Sequence, residues 1–316
     1  MPENAPATPA GAGQSRQETP ASKQEAGVEP GLWLVATPIG NLEDVSQRAL
    51  SVLASVDRVA CEDTRRTGRL LSRHDIAARL VSYHEHNAAR VRPTLIRMLK
   101  DGSSVALVSD AGTPLISDPG YKLVRAALDA GIRVTGCPGP SAPLLALVLS
   151  GLPTDRFYFG GFLPAKAGPR RKALAALKSL DATLVFFESP RRLAASLADM
   201  AEALGPRPAA VARELTKLHE ELRRGPLDQL AAHYDSAGAP KGEVVVVVGG
   251  DPGDAARSAL SDADIDGRLG RLLATGTVRD AAAALSAETG RPRRELYARA
   301  LALSQARTRK GCAGDP

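Results

Sequence analysis

Residues Val105-Ala106-Leu107-Val108 form a short apolar run. The chain then passes through Ser109-Asp110-Ala111-Gly112-Thr113-Pro114-Leu115-Ile116-Ser117-Asp118-Pro119-Gly120 before a helical pattern begins near Lys122. An apolar run this short, bounded by turn residues, reads as a buried strand. The loop therefore lies just past a strand's carboxyl end, where open α/β sheets bind their ligands. Its two glycines let backbone approach a ligand closely, and its two prolines stiffen the turn. Asp110 and Asp118 add acceptors for a cationic or hydroxyl-bearing partner. A plain connection between strand and helix needs one glycine, so this loop is assigned to a ligand.

The same strand–loop–helix unit recurs. Leu32 to Ala36 reads as a first strand that runs into the turn Thr37-Pro38-Ile39-Gly40-Asn41-Leu42, followed by a helix with Val45, Leu50 and Leu53 on its apolar side. A short strand at Arg58 to Cys61 ends in Glu62-Asp63-Thr64-Arg65-Arg66. Helices follow near Val91 to Leu99 and Lys122 to Ala130. The strand Arg133-Val134-Thr135 then enters a second turn-rich loop, Gly136 to Ala142. Units of this kind in series predict an α/β fold with a largely parallel sheet and its loops gathered along one edge.

The pattern changes around Gly151-Leu152-Pro153, which divides the chain into an N-terminal α/β domain (31–152) and a C-terminal one (153–250). In the second, strands are expected at Phe157 to Phe159, Thr183 to Phe187, Ala209 to Ala212 and Val244 to Val248. Helices are expected at Lys172 to Leu180 and Leu193 to Leu204. Five consecutive valines require a strand buried on both faces. Gly249 to Gly253 reads as a linker. Residues 255–316 form a small helical unit in which Val278, Ala282 and Leu285, then Leu296, Ala300 and Leu303, recur at helical spacing around the turn Thr289 to Pro292. This basic, helix–turn–helix-like tail, with Arg291, Arg293, Arg294 and Arg299, is either a phosphate-docking unit or a helical hairpin packed on the main body.

Charge and cysteine usage narrow the classes. The net charge is +6 over 316 residues, and Arg257 to Lys310 alone carries 11 basic against 6 acidic residues. That balance suits a polyanionic partner. Cys61, Cys137 and Cys312 are odd in number and far apart, which speaks against a disulfide framework or a zinc site and fits a reducing cytoplasm. No apolar run reaches membrane-spanning length. Residues 1–30, rich in Ala, Pro, Gly, Gln and Glu without an apolar core, read as a disordered extension. The dinucleotide, P-loop and nucleophile-elbow signatures are all missing. Loops loaded with Gly, Pro, Ser and Asp instead suit a ligand held mainly by main-chain groups.

Taken in order, Thr37 to Leu42, Glu62 to Arg65, Ser109 to Gly120, Pro138-Gly139-Pro140-Ser141-Ala142 and Glu188-Ser189-Pro190-Arg191-Arg192 closely resemble the tetrapyrrole methylase superfamily. Within it they resemble the ribosomal RNA small subunit methyltransferase I family, from about Leu32 to Gly249, with a similar C-terminal unit. The resemblance implies a two-domain fold of mixed sheets flanked by helices, a homodimer, and S-adenosylmethionine held in the cleft between domains. It also implies 2′-O-methylation of a cytidine ribose in the decoding region of 16S rRNA, free or in the small ribosomal subunit. By motif, Asp110, Ala111, Gly112, Thr113, Ile116 and Ser117 wrap the methionine and ribose portions, and Ser141-Ala142 lies beneath the sulfonium. Phe187, Glu188, Leu215 and Gly242-Glu243 complete the adenine pocket, and Pro38 stands near the methyl-transfer point. Pigment-modifying members carry Gly-Gly-Asp-Pro where this chain has Ala111-Gly112-Thr113-Pro114, so contacts of that aspartate do not transfer.

A ribose 2′-hydroxyl is a weak acid, and the residues considered for removing its proton are Asp63, Glu188 and Glu214, with Lys217 as a neighbour that tunes a pKa or holds phosphate. Each has a structural alternative as a helix cap or ion pair. Arg65, Arg66, Arg191, Arg192 and Arg213, together with Arg170 and Arg171 in a basic, flexible-looking loop from Lys166 to Lys172, are assigned to RNA phosphates. The alternative for each is a solvated surface. His84 and His86 alone do not make a metal site, and none is expected. Two rivals remain open at this level: a tetrapyrrole C-methyltransferase acting on a precorrin- or uroporphyrinogen-type macrocycle, and a ligand-sensing RNA-binding protein without turnover.

Overall fold

The computed structural model describes residues 28–251, 262–274, 276–289 and 291–312; the expected extension 1–30 lies almost wholly outside them, as does the end of the linker. The first half runs β1 (Gly31–Val35), α1 (Gln47–Ser55), β2 (Arg58–Cys61), α2 (Thr64–Arg73), β3 (Leu80–Ser82), α3 (Ala88–Lys100), β4 (Ser104–Val108), α4 (Tyr121–Asp129), β5 (Val134–Cys137) and α5 (Ala142–Ser150). The second half runs β6 (Phe157–Phe162), α6 (Ala167–Ala176), β7 (Thr183–Glu188), α7 (Leu193–Leu204), β8 (Pro208–Arg213), β9 (Glu221–Pro226), α8 (Leu227–Ala237) and β10 (Val244–Val248). Three helices follow: α9 (Asp262–Leu272), α10 (Val278–Thr289) and α11 (Arg293–Cys312).

The first sheet, in the order β3-β2-β4-β1-β5, is parallel throughout. Alternation along β4 sends Val105 and Leu107 to the face covered by α3 and α4, and Ala106 and Val108 to the face covered by α1 and α2. A parallel sheet covered on both sides must be apolar on both faces, as all five residues of β4 are. Because every strand points the same way, the loops after β1, β2, β4 and β5 meet at one edge.

The second sheet, β6-β7-β10-β8-β9, is mixed: β6 and β7 are parallel and the other pairs antiparallel. The valine strand β10 lies between β7 and β8, with Val244, Val246 and Val248 packed toward Leu193, Leu197 and Met200 of α7. Val245 and Val247 face Ala146 and Leu147 of α5 on the other side.

That packing revises the domain boundary. Helix α5 follows the last strand of the first sheet, yet its buried face covers the second sheet, so the structural crossover falls at the loop before Ala142 rather than at Gly151. Sequence order assigns α5 to the first unit because a βα unit normally folds back on its own sheet. A second revision concerns residues 166–172. They are not a flexible loop but the start of α6, whose Pro169 sits in the first turn, where a missing N–H costs nothing. In the C-terminal unit, Ile265, Leu269, Ala282, Leu285, Leu296 and Ala300 enclose a core of their own.

Candidate cofactor site between the two sheets

Three loops lock together at the edge of the first sheet. The backbones of Thr37 and Gly112 exchange two hydrogen bonds of 2.9 and 3.0 Å, a single antiparallel bridge between the loops after β1 and β4. The Thr37 hydroxyl donates to the Ser109 carbonyl at 3.1 Å, and the Ser109 hydroxyl donates to the Gly112 carbonyl at 2.9 Å. Thr113 then reaches the loop after β5, donating to the Pro140 carbonyl at 3.1 Å. Gly112 has φ of +84°, and a Cβ there would lie 3.2 Å from Ile39. Leu115 and Ser117 also hold positive φ, 72° and 63°, a cost of about 1–3 kcal/mol each that surrounding contacts must offset. Strain concentrated in one loop marks it as built for a purpose other than connection.

From the second sheet the strained segment Glu214 to Lys217 meets this assembly. Glu214 and Thr216 have φ of 50° and 65°, and the Asn41 N–H donates to the Thr216 hydroxyl at 3.1 Å. A Cβ on Gly40 would come within 2.5 Å of the Lys217 side chain, so the two lobes touch here at glycine distance.

Between them lies a cavity of about 440 Å³, within the range of small-molecule sites. Ala111, Gly112, Thr113, Ile116 and Ser117 line it from the loop after β4, and Ser141 and Ala142 from the start of α5. Phe187, Leu215 and Gly242 line it from the second lobe, with Glu188 and Glu243. Two residues expected here do not face it. Ile39 takes the wall in place of Pro38, and the Asp110 carboxylate turns away to accept from the Asp63 N–H at 3.0 Å and to pair with Arg66 at 3.6 Å. The rim carries Phe162, 59% exposed, tilted against Phe187 with ring centroids 5.3 Å apart.

The candidate proton acceptors are mostly committed elsewhere. Asp63 caps α2, accepting from the Arg65 N–H at 2.8 Å, and the Arg65 guanidinium with that bond holds its carboxyl down at about 2. Glu188 is buried and saturated: it accepts from the Ser189 N–H at 2.6 Å and the Ser196 hydroxyl at 2.5 Å, and pairs with Arg192 at 2.6 Å. Lys217 donates to Glu214 at 2.8 Å and to Glu243 at 3.2 Å, which keeps Glu214 below the usual carboxylate range; burial works to lower Lys217, but its carboxylate partners prevail and raise it. Asp118 behaves differently. Burial, with the nearby Glu62 and Asp110 carboxylates, pushes it up to about 6, and it lines the cavity. The sequence shows Asp118 as an acceptor in the loop, but its altered proton affinity comes first from burial in the folded cleft and then from the Glu62 and Asp110 carboxylates.

The arginines also divide. Arg170 is buried, with its guanidinium on Asp199 at 2.5 Å and on the Ala165 carbonyl at 3.1 Å, so its assignment to RNA is withdrawn. Arg192 serves Glu188, and Arg213 is held by Glu221 at 3.0 Å and the Lys241 carbonyl at 3.1 Å. Arg171 is half-exposed but paired with Asp199 and Glu202. Arg65 and Arg66 remain largely exposed at the start of α2, and Arg191 is exposed at the 3-10 turn before α7. Among the described residues no three His, Cys, Asp or Glu side chains are grouped to hold a metal.

The family described as Tetrapyrrole (Corrin/Porphyrin) Methylases matches residues 31–231, and the RsmI C-terminal HTH domain matches 259–304. The ribosomal RNA small subunit methyltransferase I of Mesorhizobium japonicum is 57% identical over 87% of this chain and 93% of its own length. The protein of that name from Micromonospora olivasterospora is 46% identical over 92% of each chain. This chain belongs to the ribosomal RNA small subunit methyltransferase I family. Its fold is that of the tetrapyrrole methylases: uroporphyrin-III C-methyltransferase of Thermus thermophilus is 24% identical with a TM-score of 0.51, covering 70% of this chain and 94% of that one. Cobalt precorrin-4 methyltransferase CbiF is 15% identical with a TM-score of 0.53, covering 69% and 94%.

Methyltransferases of this family use S-adenosylmethionine, and the cavity suits it. Glycines and apolar residues (Ile39, Ile116, Phe187, Leu215) contribute much of the wall, while Asp118 adds a carboxyl group for a cationic ligand. At Gly242, φ is +95° and a Cβ would fall on the Glu214 carboxylate, so this edge of the wall tolerates no side chain. Replacing Gly112 with Val in this family member fills the space before Ile39 at a φ valine resists. Isothermal calorimetry should show S-adenosylmethionine affinity reduced at least ~100-fold with the circular dichroism spectrum unchanged; parental affinity would remove the loop from the site. Below pH about 6 Asp118 is protonated and its attraction for a cation is lost. Affinity should therefore rise from pH 5 to 7 with a midpoint near 6, and Asp118→Asn should flatten that rise; the same pH profile in both proteins would refute the assignment.

Proposed function

We propose that this chain transfers the methyl group of S-adenosylmethionine to the ribose 2′-hydroxyl of a cytidine in the decoding region of 16S rRNA, acting in the cytoplasm as a homodimer. The observation that carries the reading is the interlocked cleft, lined by backbone at Gly112 and Gly242, in a chain whose relatives at 46–57% identity are named for ribosomal RNA. Likeness to the uroporphyrin and precorrin enzymes is a matter of fold. No helix among the described residues is long and apolar enough to cross a membrane. On α5, Leu144 and Val148, one turn apart, are 50% and 62% exposed, a face suited to a second copy.

When bound, the cofactor supplies a methyl group on a positively charged sulfur, already activated toward an oxygen nucleophile. The work left to the chain is orientation, worth up to about 7–11 kcal/mol of barrier when the reacting atoms are well aligned. The bridge between Thr37 and Gly112 fixes the first wall, and the Lys217 ion pairs with Glu214 and Glu243 hold the strained loop that supplies Leu215 to the second. We assign Glu188, Glu214 and Lys217 to positioning these walls. Arg65, Arg66 and Arg191 stand exposed for phosphate, and Arg65 and Arg66 add to the positive N-terminal end of α2.

Ribose-methylation mapping of small-subunit RNA from a strain lacking the protein should show one decoding-region cytidine unmethylated, restored by the parent gene but not by Gly112→Val; an unchanged methylation map would sink the reading. Without turnover, as in a sensing protein, the mark would be present in both strains. Sedimentation velocity should give the mass of two chains, and a single-chain mass at micromolar concentration would refute the dimer.

A further inference from the structure

Six arginines of the C-terminal unit fall into two sets of three. Arg299 bonds to Asp266 and the Asp262 carbonyl, and pairs with the Asp262 carboxylate at 3.0 Å. Arg291 pairs with Asp262 and Glu295, and Arg268 with Glu288. These contacts fasten α9 to the corner between α10 and α11. Arg279, Arg293 and Arg294 make no ion pair with the described residues. Together with Tyr297 they border a shallow cleft open to solvent. The nearest acidic side chains in sequence are engaged: Asp280 accepts from the Thr277 hydroxyl at 2.7 Å, and Glu295 holds Arg291 at 3.2 Å.

Tyr297 follows Arg293 and Arg294 by four and three residues, so all three share one face of α11, and its ring is 44% exposed. Three guanidiniums without an ion pair among the described residues repel one another on a common cleft, and an anion between them relieves that repulsion. An exposed ring beside them offers a flat surface to a base.

We propose that this cleft holds one unpaired nucleotide of RNA, its phosphate among Arg279, Arg293 and Arg294 and its base stacked on Tyr297. The assignment rests on the reading of RNA as substrate and adds to it a second contact, made by single-stranded rather than paired RNA. A base within a duplex is already stacked on its neighbours and cannot lie on a protein ring, whereas a splayed one can. The two arginine sets thus have different work: Arg291 and Arg299 build the unit, and the other three meet the ligand.

The test uses the full chain and a fluorescent single-stranded oligoribonucleotide of the decoding-region sequence, with a blunt RNA duplex as comparison. Tyr297→Ala should weaken single-strand binding about 5- to 150-fold, while Tyr297→Phe, which keeps the ring, should stay within about twofold of the parent. Arg293→Ala with Arg294→Ala should weaken binding and flatten the dependence of log affinity on log salt by about one. S-adenosylmethionine affinity should be unchanged in all three, and methylation by Tyr297→Ala and by the double arginine variant should show a raised KM for RNA with kcat retained. Parental affinity in Tyr297→Ala, equal losses in the Phe and Ala variants, an unchanged salt slope, or preference for the duplex would each overturn the proposal. Should the parent bind this RNA with the predicted pattern of losses yet methylate nothing, the cleft stands and the functional reading falls.

Discussion

Two backbone hydrogen bonds between Thr37 and Gly112 carry a disproportionate share of this architecture. They convert two loops, each free to wander beyond its strand, into a miniature ladder, and the Thr113 bond to Pro140 adds the third loop to it. Only once that edge is rigid can Leu115 and Ser117 be kept at positive φ, because an unsupported loop would relax to an ordinary conformation. The second lobe depends on the same edge. Its strained segment, Glu214 to Lys217, closes on Gly40 and Asn41, three and four residues beyond Thr37 in the same loop. The cavity therefore has walls of fixed shape before any ligand arrives, which lowers the ordering cost of binding.

The loops were legible in the sequence because their chemistry is local. A strand's apolar run, a glycine that must approach another backbone and a proline that stiffens a turn all leave marks within a dozen residues, and from that loop Ala111, Gly112, Thr113, Ile116 and Ser117 line the cavity. Partner choice is not local. Arg170 and Asp199 stand 29 residues apart on α6 and α7, so one arginine of a basic stretch that otherwise faces solvent is instead half of a buried pair. Arg213 with Glu221 and Arg299 with Asp266 follow the same rule. The behaviour of Asp118 is likewise set by the fold, first by its burial and then by the Glu62 carboxylate beyond β2 and by Asp110 of its own loop. Helix α5 hides for another reason: its composition is apolar nearly all round, so nothing in its periodicity says which sheet it will cover.

A wall made of main chain places few demands on side-chain identity. Any residue can present an N–H or C=O, provided glycine stands where the backbone must turn or come close, as at Gly112 and Gly242. A loop that reads Ala111-Gly112-Thr113-Pro114 here and Gly-Gly-Asp-Pro in pigment-modifying relatives can then keep its path while its side chains change. Substrate choice has to be written elsewhere, in groups the ligand-holding loops do not use. The groups proposed for that role in this chain are charged and peripheral: Arg65 and Arg66 at the start of α2, Arg191 before α7, and Arg279, Arg293 and Arg294 of the C-terminal unit.

That separation has an energetic logic. Contacts to phosphate are strong but uninformative, since every nucleotide offers one, and their strength falls steeply with salt. A chain that relied on them alone would hold any RNA. Main-chain walls of fixed shape supply the opposite quality, accepting only what fits between Ile39, Ile116 and Leu215. Tyr297 lies between these extremes: a stacking surface is indifferent to base identity but excludes a paired strand, so it selects RNA structure rather than sequence. On the proposed reading, charge recruits the RNA and stacking admits an unpaired segment, while the cleft fixes the position of the methyl donor, so discrimination accumulates over contacts none of which would suffice alone.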